Sequence, residues 1–229
     1  MHPRPDKRPI LPKSSRPAEV DERAHAHAHP LHHAEFLTTA ADWQQLPSDG
    51  APEIAFAGRS NAGKSSALNA LAQHARLAFV SKTPGRTQNI NFFRLRCGAL
   101  LADLPGYGYA AVPAAVRRHW QQFLPRYLSE REALAGLVMV MDARHALTEL
   151  DRRMLEWFLP TGRPVHMLLA KADKLSHGEQ GRTLEYARGV LAADYAIYAA
   201  QTSAQLFSAR RRLGLAEAEA VIQGWLTGA

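Results

Sequence analysis

Gly58-Arg59-Ser60-Asn61-Ala62-Gly63-Lys64-Ser65 is the most informative stretch of this 229-residue chain, because it fits the Walker A pattern of phosphate-binding loops. The apolar run before it, residues 54–57, indicates a buried strand, and residues 66–72 after it indicate the first turns of a helix. In that setting backbone N–H groups surround the β-phosphate, Lys64 reaches the β- and γ-phosphates, and the Ser65 hydroxyl ligates Mg²⁺. A plain Gly-rich turn between a strand and a helix would need no Lys-Ser pair. The stretch therefore predicts binding of a nucleoside triphosphate.

Short apolar runs alternate with amphipathic stretches along the rest of the chain. Strands interleaved with helices predict an α/β fold, with a mostly parallel six-stranded sheet covered by helices on both faces. Ligands bind to such sheets at the carboxyl ends of the strands. The predicted strands contain residues 54–57, 90–95, 100–103, 137–142, 165–170 and 205–208, and the predicted helices span 64–73, 113–130, 150–159, 179–192 and 215–226.

The composition is that of a globular protein with one sizeable core and a basic surface. Hydrophobic residues make up 46% of the chain, yet no run approaches the roughly 18 apolar residues that a membrane-spanning helix needs. The N-terminus lacks the apolar core of a signal peptide, and a single cysteine, Cys97, suits a reducing compartment. These features predict a cytoplasmic protein that does not enter a membrane. The net charge of +7 points to a polyanionic partner, most simply nucleic acid.

The first 33 residues differ from the rest of the chain. They hold six of the fourteen prolines, scattered charges and almost no large apolar side chains, so they cannot bury enough surface to fold. We therefore expect a disordered tail over residues 1–33 and a single domain over residues 34–229. Five histidines between residues 25 and 33 form a cluster. Their alternation with alanine favours a solvated, weakly basic tract, and metal binding is the alternative.

An acidic residue follows the apolar run 100–102, in the sequence Asp103-Leu104-Pro105-Gly106. A carboxylate at the end of a strand beside a phosphate-binding loop can hold Mg²⁺ through a water molecule. The glycine three residues later leaves its backbone N–H free to approach a γ-phosphate. Pro-Gly alone would indicate only a turn. The position downstream of a Walker A motif favours a metal- and phosphate-binding segment.

The sequence Ala170-Lys171-Ala172-Asp173 follows another apolar run. The Asp173 carboxylate can accept hydrogen bonds from N1–H and the 2-amino group of guanine, a donor pair that adenine lacks. The stem of Lys171 can cover one face of the base. A site built this way rejects a base that leaves its acceptor unpaired. A helix cap would explain Asp173 alone, but it would not explain Lys171 as well, so the pattern predicts guanine recognition.

A polar loop, residues 81–89, lies between these motifs and leads into the run that begins at Ile90. A threonine in such a loop can complete the Mg²⁺ shell only while the γ-phosphate is present, which makes the loop a switch. Thr83 and Thr87 are equal candidates for that role on their chemistry alone.

Five segments together carry a resemblance to a known family. They are Gly-Arg-Ser-Asn-Ala-Gly-Lys-Ser at 58–65, Thr-Pro-Gly-Arg-Thr-Gln-Asn at 83–89, Asp-Leu-Pro-Gly-Tyr-Gly-Tyr at 103–109, Lys-Ala-Asp-Lys-Leu at 171–175 and Gln-Leu-Phe-Ser-Ala at 205–209. In these segments the chain resembles the bacterial EngB family, and the likeness runs from about Phe36 to Leu226. The resemblance implies the Ras-like, three-layer P-loop GTPase fold, hydrolysis of GTP to GDP with Mg²⁺, and a role in assembly of the large ribosomal subunit. It also implies a link to normal cell division and septum formation.

The resemblance assigns further residues to the site. It places the switch threonine after Gly-Arg, hence at Thr87, and maps the last guanine loop onto Phe207-Ser208-Ala209, whose backbone contacts the base. The family usually has Thr, and other GTPases Asn, where this chain has Ala170. That side chain normally tethers the base-binding loop to the P-loop, so we expect a lower nucleotide affinity. The switch loop adds Gly85, Arg86, Thr87, Gln88 and Asn89 to the nucleotide-binding set.

Hydrolysis by this chain alone is predicted to be slow. Ras-like GTPases orient the attacking water with a glutamine directly after the Asp-x-x-Gly glycine, and this chain has Tyr107 there. We expect that ring to be packed or turned away, because a phenol titrates near pH ~10, and we name no general base. The transition state is then stabilised by Lys64, by Mg²⁺ on Ser65 and Thr87, and by backbone amides of the phosphate-binding loop and of Gly106. Asn61 resembles the asparagine that holds a potassium ion in some related GTPases, although an ordinary loop residue is the alternative.

Arginines cluster at residues 117–118, 152–153 and 210–212. Each cluster alone is typical of a solvated helix face, but together they indicate contact with ribosomal RNA by charge and shape. We therefore expect a monomer that binds the large ribosomal subunit or its precursor. A P-loop ATPase or kinase, one alternative, would leave Lys171 and Asp173 unexplained. Another alternative is a nucleotide-gated interaction protein of the division machinery in which hydrolysis is incidental.

Overall fold

A seven-stranded sheet runs through the part of the chain that the structure, a computed structural model, describes: residues 30–74, 77, 89–108 and 114–228. The order across the sheet is β1-β3-β4-β2-β5-β6-β7. Strands β4, β2, β5, β6 and β7 are parallel neighbours, whereas β3 is antiparallel to both β4 and β1. The strands are β1 Glu35–Ala40, β2 Glu53–Gly58, β3 Ile90–Arg94, β4 Leu100–Asp103, β5 Leu134–Asp142, β6 Val165–Ala170 and β7 Thr202–Leu206.

Helices cover both faces of this sheet, as the sequence predicts. They are α1 Lys64–Leu71, α2 Ala114–Glu130, α3 Glu149–Phe158, α4 His177–Asp194 and α5 Leu215–Thr227. Alternate side chains of β2 point to opposite faces, so Ala55 and Ala57 join one core while Ile54 and Phe56 join the other. The first core includes buried side chains of α2, α3 and α4, and the second includes those of α1 and α5. The sheet is therefore buried from both sides, which gives a three-layer α/β fold.

The number of strands predicted from the sequence was wrong, because β1 was missed. Three of its six residues, Glu35, Phe36 and Leu37, are exposed, so the strand lacks the buried apolar run that marks β2 to β6. It lies at the edge of the sheet and pairs only with β3, with an irregular register between Phe36 and Thr38. An edge strand has one partner and little burial, and the sequence carries a correspondingly weak signal.

The chain packs on the domain from Leu31 onward, three residues before the predicted boundary. Leu31 is buried in the core beneath α1 and α5, and the His33 N–H donates to the Ala72 carbonyl over 3.2 Å. A hydrogen bond of 3.1 Å joins His32 to Glu219 of α5. Disorder was predicted for residues 1–33; of these, residues 30–33 are described and pack on the domain as above, and residues 1–29 lie outside the described residues. None of the helices in the described part of the chain is long and apolar enough to span a membrane.

Cys97 lies in the turn that joins β3 to β4, and its side chain is exposed. Arg94, at the end of β3, donates from Nη1 to the Gly98 carbonyl over 3.0 Å, which closes this turn. The turn precedes Leu100, the first residue of β4, so it sits at the end of the sheet opposite Asp103.

A buried carboxylate anchors the start of β2. Glu53 is fully buried, and its Oε2 accepts a hydrogen bond of 2.8 Å from the Tyr127 hydroxyl of α2. Its Oε1 forms an ion pair with Arg131, whose Nε donates over 3.0 Å and whose Nη2 also donates to the Pro47 carbonyl over 2.6 Å. The charge of Glu53 is thus matched, and α2 is fastened to the end of the sheet away from the Walker A loop.

Removing the guanidinium should destabilise the fold strongly. Arg131→Ala leaves the Glu53 carboxylate buried without its counter-charge, which typically costs about 3–5 kcal/mol of unfolding free energy. Arg153→Ala is the matched control, because Arg153 pairs with Glu149 on the surface with both side chains more than half exposed, and such pairs contribute at most about 1 kcal/mol. Urea unfolding followed by circular dichroism gives both values. Equal losses in the two variants would contradict this account of Glu53.

Candidate nucleotide-binding site

The Walker A loop connects β2 to α1 at the carboxyl end of β2. Gly63 caps the N-terminus of α1 with a φ of +112°, a left-handed backbone conformation that favours glycine. Asn61 also has a positive φ, +65°, which asparagine adopts more readily than most residues. The loop therefore turns sharply and leads straight into a helix N-terminus, the arrangement that binds phosphate groups. Ser65 lies in the first turn of that helix.

Lys64 and Asp103 form a buried ion pair beneath this loop. The Lys64 Nζ donates to Asp103 Oδ1, and the two residues are only 9% and 3% exposed. Asp103 is the last residue of β4 and pairs in register with Phe56 of the neighbouring parallel strand β2. Lys64 and Ser65 of the Walker A motif and Asp103 of the second motif thus lie at the same end of the sheet. Hydroxyl and carboxylate oxygens are the ligands that Mg²⁺ prefers, so Ser65 and Asp103 fit a magnesium site.

The segment after Asp103 runs along the phosphate-binding loop. The Leu104 N–H donates to the Phe56 carbonyl over 3.0 Å, which keeps the segment beside β2. Gly106 lies so close to the loop that an added Cβ would sit 3.3 Å from the backbone N and Cα of Ser60. A side chain at this position would push the segment away. Gly106 therefore lies directly against the Walker A loop, and its contact with the terminal phosphate stays a prediction.

The base-binding loop follows β6. Ala170 ends this buried strand, and Lys171 has a φ of +60°. The Lys171 Nζ donates to the Asn61 carbonyl over 2.5 Å and to Asp142 Oδ2 over 3.0 Å. Lys171 therefore ties the predicted base-binding loop, residues 170–173, to the Walker A loop, a link that the methyl side chain of Ala170 cannot provide. Asp142, at the end of β5, was missed by sequence reasoning, although its position at a strand end matches that of Asp103.

Asp142 is ionised at neutral pH. Burial by itself would raise the pKa of this carboxyl, but hydrogen bonds from Arg144 and Lys171 outweigh it and hold the pKa well below its usual range. Arg144 donates from Nε over 2.9 Å and from Nη2 over 2.6 Å. The negative charge of Asp142 is thus available to orient the Lys171 side chain.

Asp173 faces a cleft of about 170 Å³, next to the Walker A loop. Its Oδ1 accepts a hydrogen bond of 2.6 Å from the Ser208 hydroxyl, which lowers the pKa of the Asp173 carboxyl below its usual value. An ionised carboxylate is the form that accepts from two donors. The cleft is lined by Gly63, Ser66, Ala170, Lys171, Asp173, Lys174, Phe207, Ala209 and Arg210. The cleft therefore brings together three predicted nucleotide-binding segments: the Walker A loop, residues 170–173 and residues 207–209.

The third of these segments, Phe207-Ser208-Ala209, is held by backbone hydrogen bonds. The Phe207 N–H donates to the Leu169 carbonyl over 2.9 Å, and the Phe207 carbonyl accepts from the Ala172 N–H over 3.1 Å. Ser208 pairs with Leu213 through two backbone hydrogen bonds of 3.0 and 3.1 Å, which closes the loop between β7 and α5. The loop is therefore fixed against the base-binding segment of β6.

A buried polar chain supports this loop, and sequence reasoning missed it. Gln205 donates from Nε2 to the Gly214 carbonyl over 2.6 Å, and its Oε1 lies 2.7 Å from Nε2 of His166. His166 Nδ1 lies 2.7 Å from the Ser203 hydroxyl. Burial lowers the pKa of His166, so the ring is neutral and its Nε2–H donates to Gln205. Ser203 and Gln205 follow His166 by 37 and 39 positions in the sequence, and no local pattern indicates contacts over such separations.

Only the last residue of the predicted switch loop belongs to the described part of the chain. Thr83, Gly85, Arg86, Thr87 and Gln88 lie outside the described residues, so their predicted roles stay predictions. Asn89 is described and directly precedes β3. Because β3 is antiparallel to β4, its first residue Ile90 lies at the same end of the sheet as Asp103. The loop therefore returns to the sheet at the edge that carries the other site residues.

This fold, with a Walker A loop, a strand-end aspartate and a guanine-type loop at one sheet edge, defines a P-loop GTPase. A family model described as "50S ribosome-binding GTPase" matches residues 53–171. The chain is 58% identical over 196 residues to a "Probable GTP-binding protein EngB" of Azoarcus sp. (strain BH72), covering 86% of this chain and 92% of that protein. A protein of the same name from Thiobacillus denitrificans gives the same identity and the same coverage. The chain therefore belongs to the EngB family of GTP-binding proteins.

Solved structures support the fold. A crystal structure of a probable GTP-binding protein EngB superposes with a TM-score of 0.61 at 16% identity, covering 77% of this chain and 99% of that one. An Era variant from Aquifex aeolicus, bound to GDP and AlF4⁻, gives a TM-score of 0.59 at 20% identity and covers 76% of this chain and 56% of that one. At these identities the likeness concerns the fold alone.

Base choice should depend on Asp173. Asp173→Asn replaces an acceptor with a donor, so GTP affinity should fall by about ten-fold or more and preference should move toward xanthosine triphosphate, whose C2 carbonyl accepts. Ser176→Ala is a suitable control, because Ser176 caps α4 nearby through Glu179 without lining the cleft. Competition against a fluorescent GDP analogue measures each affinity. Equal affinity of the unmutated protein for ATP and GTP would refute the assignment.

Proposed function

We propose that this GTPase acts in assembly of the large ribosomal subunit, with its nucleotide state controlling when it docks on a precursor particle. The observation that carries the proposal is the match of residues 53–171 to the 50S ribosome-binding GTPase family, the same residues that build the phosphate site. The sequence resemblance to the EngB family adds a requirement for normal cell division and septum formation. We further propose that the protein works as a monomer in the cytoplasm.

Hydrolysis in this proposal relies on charge placed around the phosphates. Bound Mg²⁺ neutralises charge on the β- and γ-phosphate oxygens, and we propose Ser65, Asp103 and Thr87 as the residues that hold it. The Lys64 ammonium sits at the same edge, where it binds the β- and γ-phosphates. Gly106 offers its N–H to the γ-phosphate. None of these groups takes a proton from water, so the reaction depends on electrostatic stabilisation of the transition state.

The Tyr107 side chain is not the missing base. Burial, together with the negative charge of Asp151, raises the pKa of the Tyr107 phenol well above its ordinary value, so the hydroxyl stays protonated at physiological pH. We therefore propose that the remaining stabilisation comes from outside the chain. The two proposed sources are the ribosomal surface and a potassium ion beside Asn61, an exposed residue of the Walker A loop.

Potassium should accelerate turnover of the isolated protein. An external charge at the phosphates raises GTPase rates by as much as about 10³–10⁵-fold in other proteins, and a potassium ion should supply part of that. Phosphate release is measured in sodium and in potassium at equal ionic strength. Asn61→Ala should remove the potassium effect and leave the sodium rate unchanged. Fast turnover in sodium would mean that the chain holds a catalytic group not identified above.

Ribosomal RNA is the proposed contact on the particle. Arg210, Arg211 and Arg212 are exposed beside the guanine cleft, so an RNA bound there would lie close to the nucleotide. The arginine cluster at residues 152–153 is partly neutralised, because Arg152 pairs with Asp194 and Arg153 with Glu149. The side chains of the third cluster, residues 117–118, lie outside the described residues. We therefore propose that residues 210–212 make the main contact with the phosphate backbone of the RNA.

Depletion of the protein should cause incomplete large subunits to accumulate. Sucrose-gradient fractionation of depleted cells detects them, and a variant with Arg211 and Arg212 changed to Ala should fail to restore normal profiles while it still hydrolyses GTP, because neither residue lines the guanine cleft. The purified protein should co-sediment with large-subunit particles with a non-hydrolysable GTP analogue and less with GDP. Normal gradients after depletion, together with localisation of the protein at the septum, would instead support an interaction protein of the division machinery.

A further inference from the structure

Tyr107 occupies the place of the water-orienting glutamine, but its side chain is directed to α3. Its hydroxyl donates to Asp151 Oδ1 over 2.7 Å, and its ring packs against the core formed by α2, α3 and α4. Asp151 lies in the first turn of α3 and is fully buried. Tyr107 therefore connects the end of the sheet that carries the Walker A loop to the N-terminus of α3. None of the predicted nucleotide contacts comes from this helix.

Asp151 is held firmly at the other end of this bond. Its Oδ2 accepts from the Thr148 N–H over 2.9 Å and from the Thr148 hydroxyl over 2.7 Å, which forms a capping box at the start of α3. The Asp151 carboxylate thus accepts three hydrogen bonds, and hydrogen bonds to a carboxylate are stronger than those between neutral groups. The Tyr107 hydroxyl is thus fixed by a group that cannot easily move.

The backbone of Tyr107 is joined to the phosphate-binding loop. Its N–H donates to the Gly58 carbonyl over 3.3 Å, and its carbonyl accepts from the Ser60 N–H over 3.2 Å. On the far side, Gly108 lies against α3 so closely that an added Cβ would sit 2.7 Å from Leu150 Cδ1. Tyr107 therefore connects the Walker A loop to α3. Because both ends of this connection are fixed, Tyr107 also determines the position of the preceding residue, Gly106.

We propose that Tyr107 is a positioning residue for GTP hydrolysis: its hydrogen bond to Asp151 holds the Gly106 N–H beside the Walker A loop, where that N–H meets the γ-phosphate. The inference rests on the proposed contact of Gly106 with the γ-phosphate. GDP lacks this phosphate, so loss of the Tyr107 hydroxyl affects GTP and its hydrolysis and spares GDP. The tyrosine acts through Gly106 and takes no proton itself.

Tyr107→Phe removes only the hydroxyl. We expect kcat to fall by about ten-fold, and GTP affinity relative to GDP to fall by a similar factor, as for the loss of a hydrogen bond to a charged group. The GDP affinity should stay within about two-fold of the unmutated value, because no β-phosphate contact changes. Single-turnover phosphate release and titration with fluorescent GDP and a non-hydrolysable GTP analogue give these values.

Tyr127→Phe is the matched control. It removes the same kind of buried bond, from the Tyr127 hydroxyl to Glu53, at the opposite end of the sheet. Both variants should lose stability in urea, but Tyr127→Phe should keep the unmutated kcat and GTP-to-GDP affinity ratio. An unchanged kcat and ratio in Tyr107→Phe, or equal changes in both variants, would overturn the proposal.

The partner is tested by a double-mutant cycle. Asp151→Ala should lower kcat as much as Tyr107→Phe, and the combined variant should be no slower, because both changes remove the same Tyr107–Asp151 hydrogen bond. Thr148→Ala, which weakens the cap of α3 and keeps the Tyr107–Asp151 bond, should leave kcat unchanged. Additive losses would show that the two residues act separately and would refute the inference. All measurements use the isolated protein, so they succeed or fail independently of ribosome association.

Discussion

The buried ion pair between Lys64 and Asp103 is the contact on which the arrangement of the site depends. A lysine with so little exposure needs a counter-charge, and the carboxylate supplies it from the neighbouring strand. The pair forms because β2 and β4 are parallel neighbours, so the loop after one and the last residue of the other emerge at the same edge. The same rule brings Asp142 and Lys171 together at the ends of β5 and β6.

Local sequence was sufficient to predict the buried strands and the site residues at their carboxyl ends. Five of the six strands found from the sequence, β2 to β6, are runs whose side chains are mostly buried. The sixth, β7, is buried only at Ala204 and Gln205, and the predicted run 205–208 overlaps just its last two residues. The α/β class follows from the alternation of these strands with helices. Asp103 and Lys171 were found because each comes at the end of such a run, and Asp173 because it lies two residues after Lys171. They lie together because a parallel sheet places strand ends at one edge, which is a property of the fold and not of any one motif.

Contacts between distant residues could not be found in this way. Edge strand β1 is half exposed, so its residues resemble a loop. The bond from Tyr107 to Asp151 joins residues 44 positions apart, and the chain from His166 to Gln205 joins two neighbouring strands. For Tyr107 the sequence correctly predicted a side chain turned away from the phosphates, but which carboxylate receives the hydroxyl depends on how α3 packs on the sheet. Packing of that kind is decided by the whole core.

The position of Cys97 has a practical consequence for following this protein in solution. It is the single thiol of the chain, it is exposed, and it lies in the β3–β4 turn at the far end of the sheet from the phosphates. A maleimide dye would therefore attach at one defined position without touching the nucleotide edge. Fluorescence anisotropy of that dye would report the slower tumbling of the protein on a particle many times its mass, in real time and for each nucleotide.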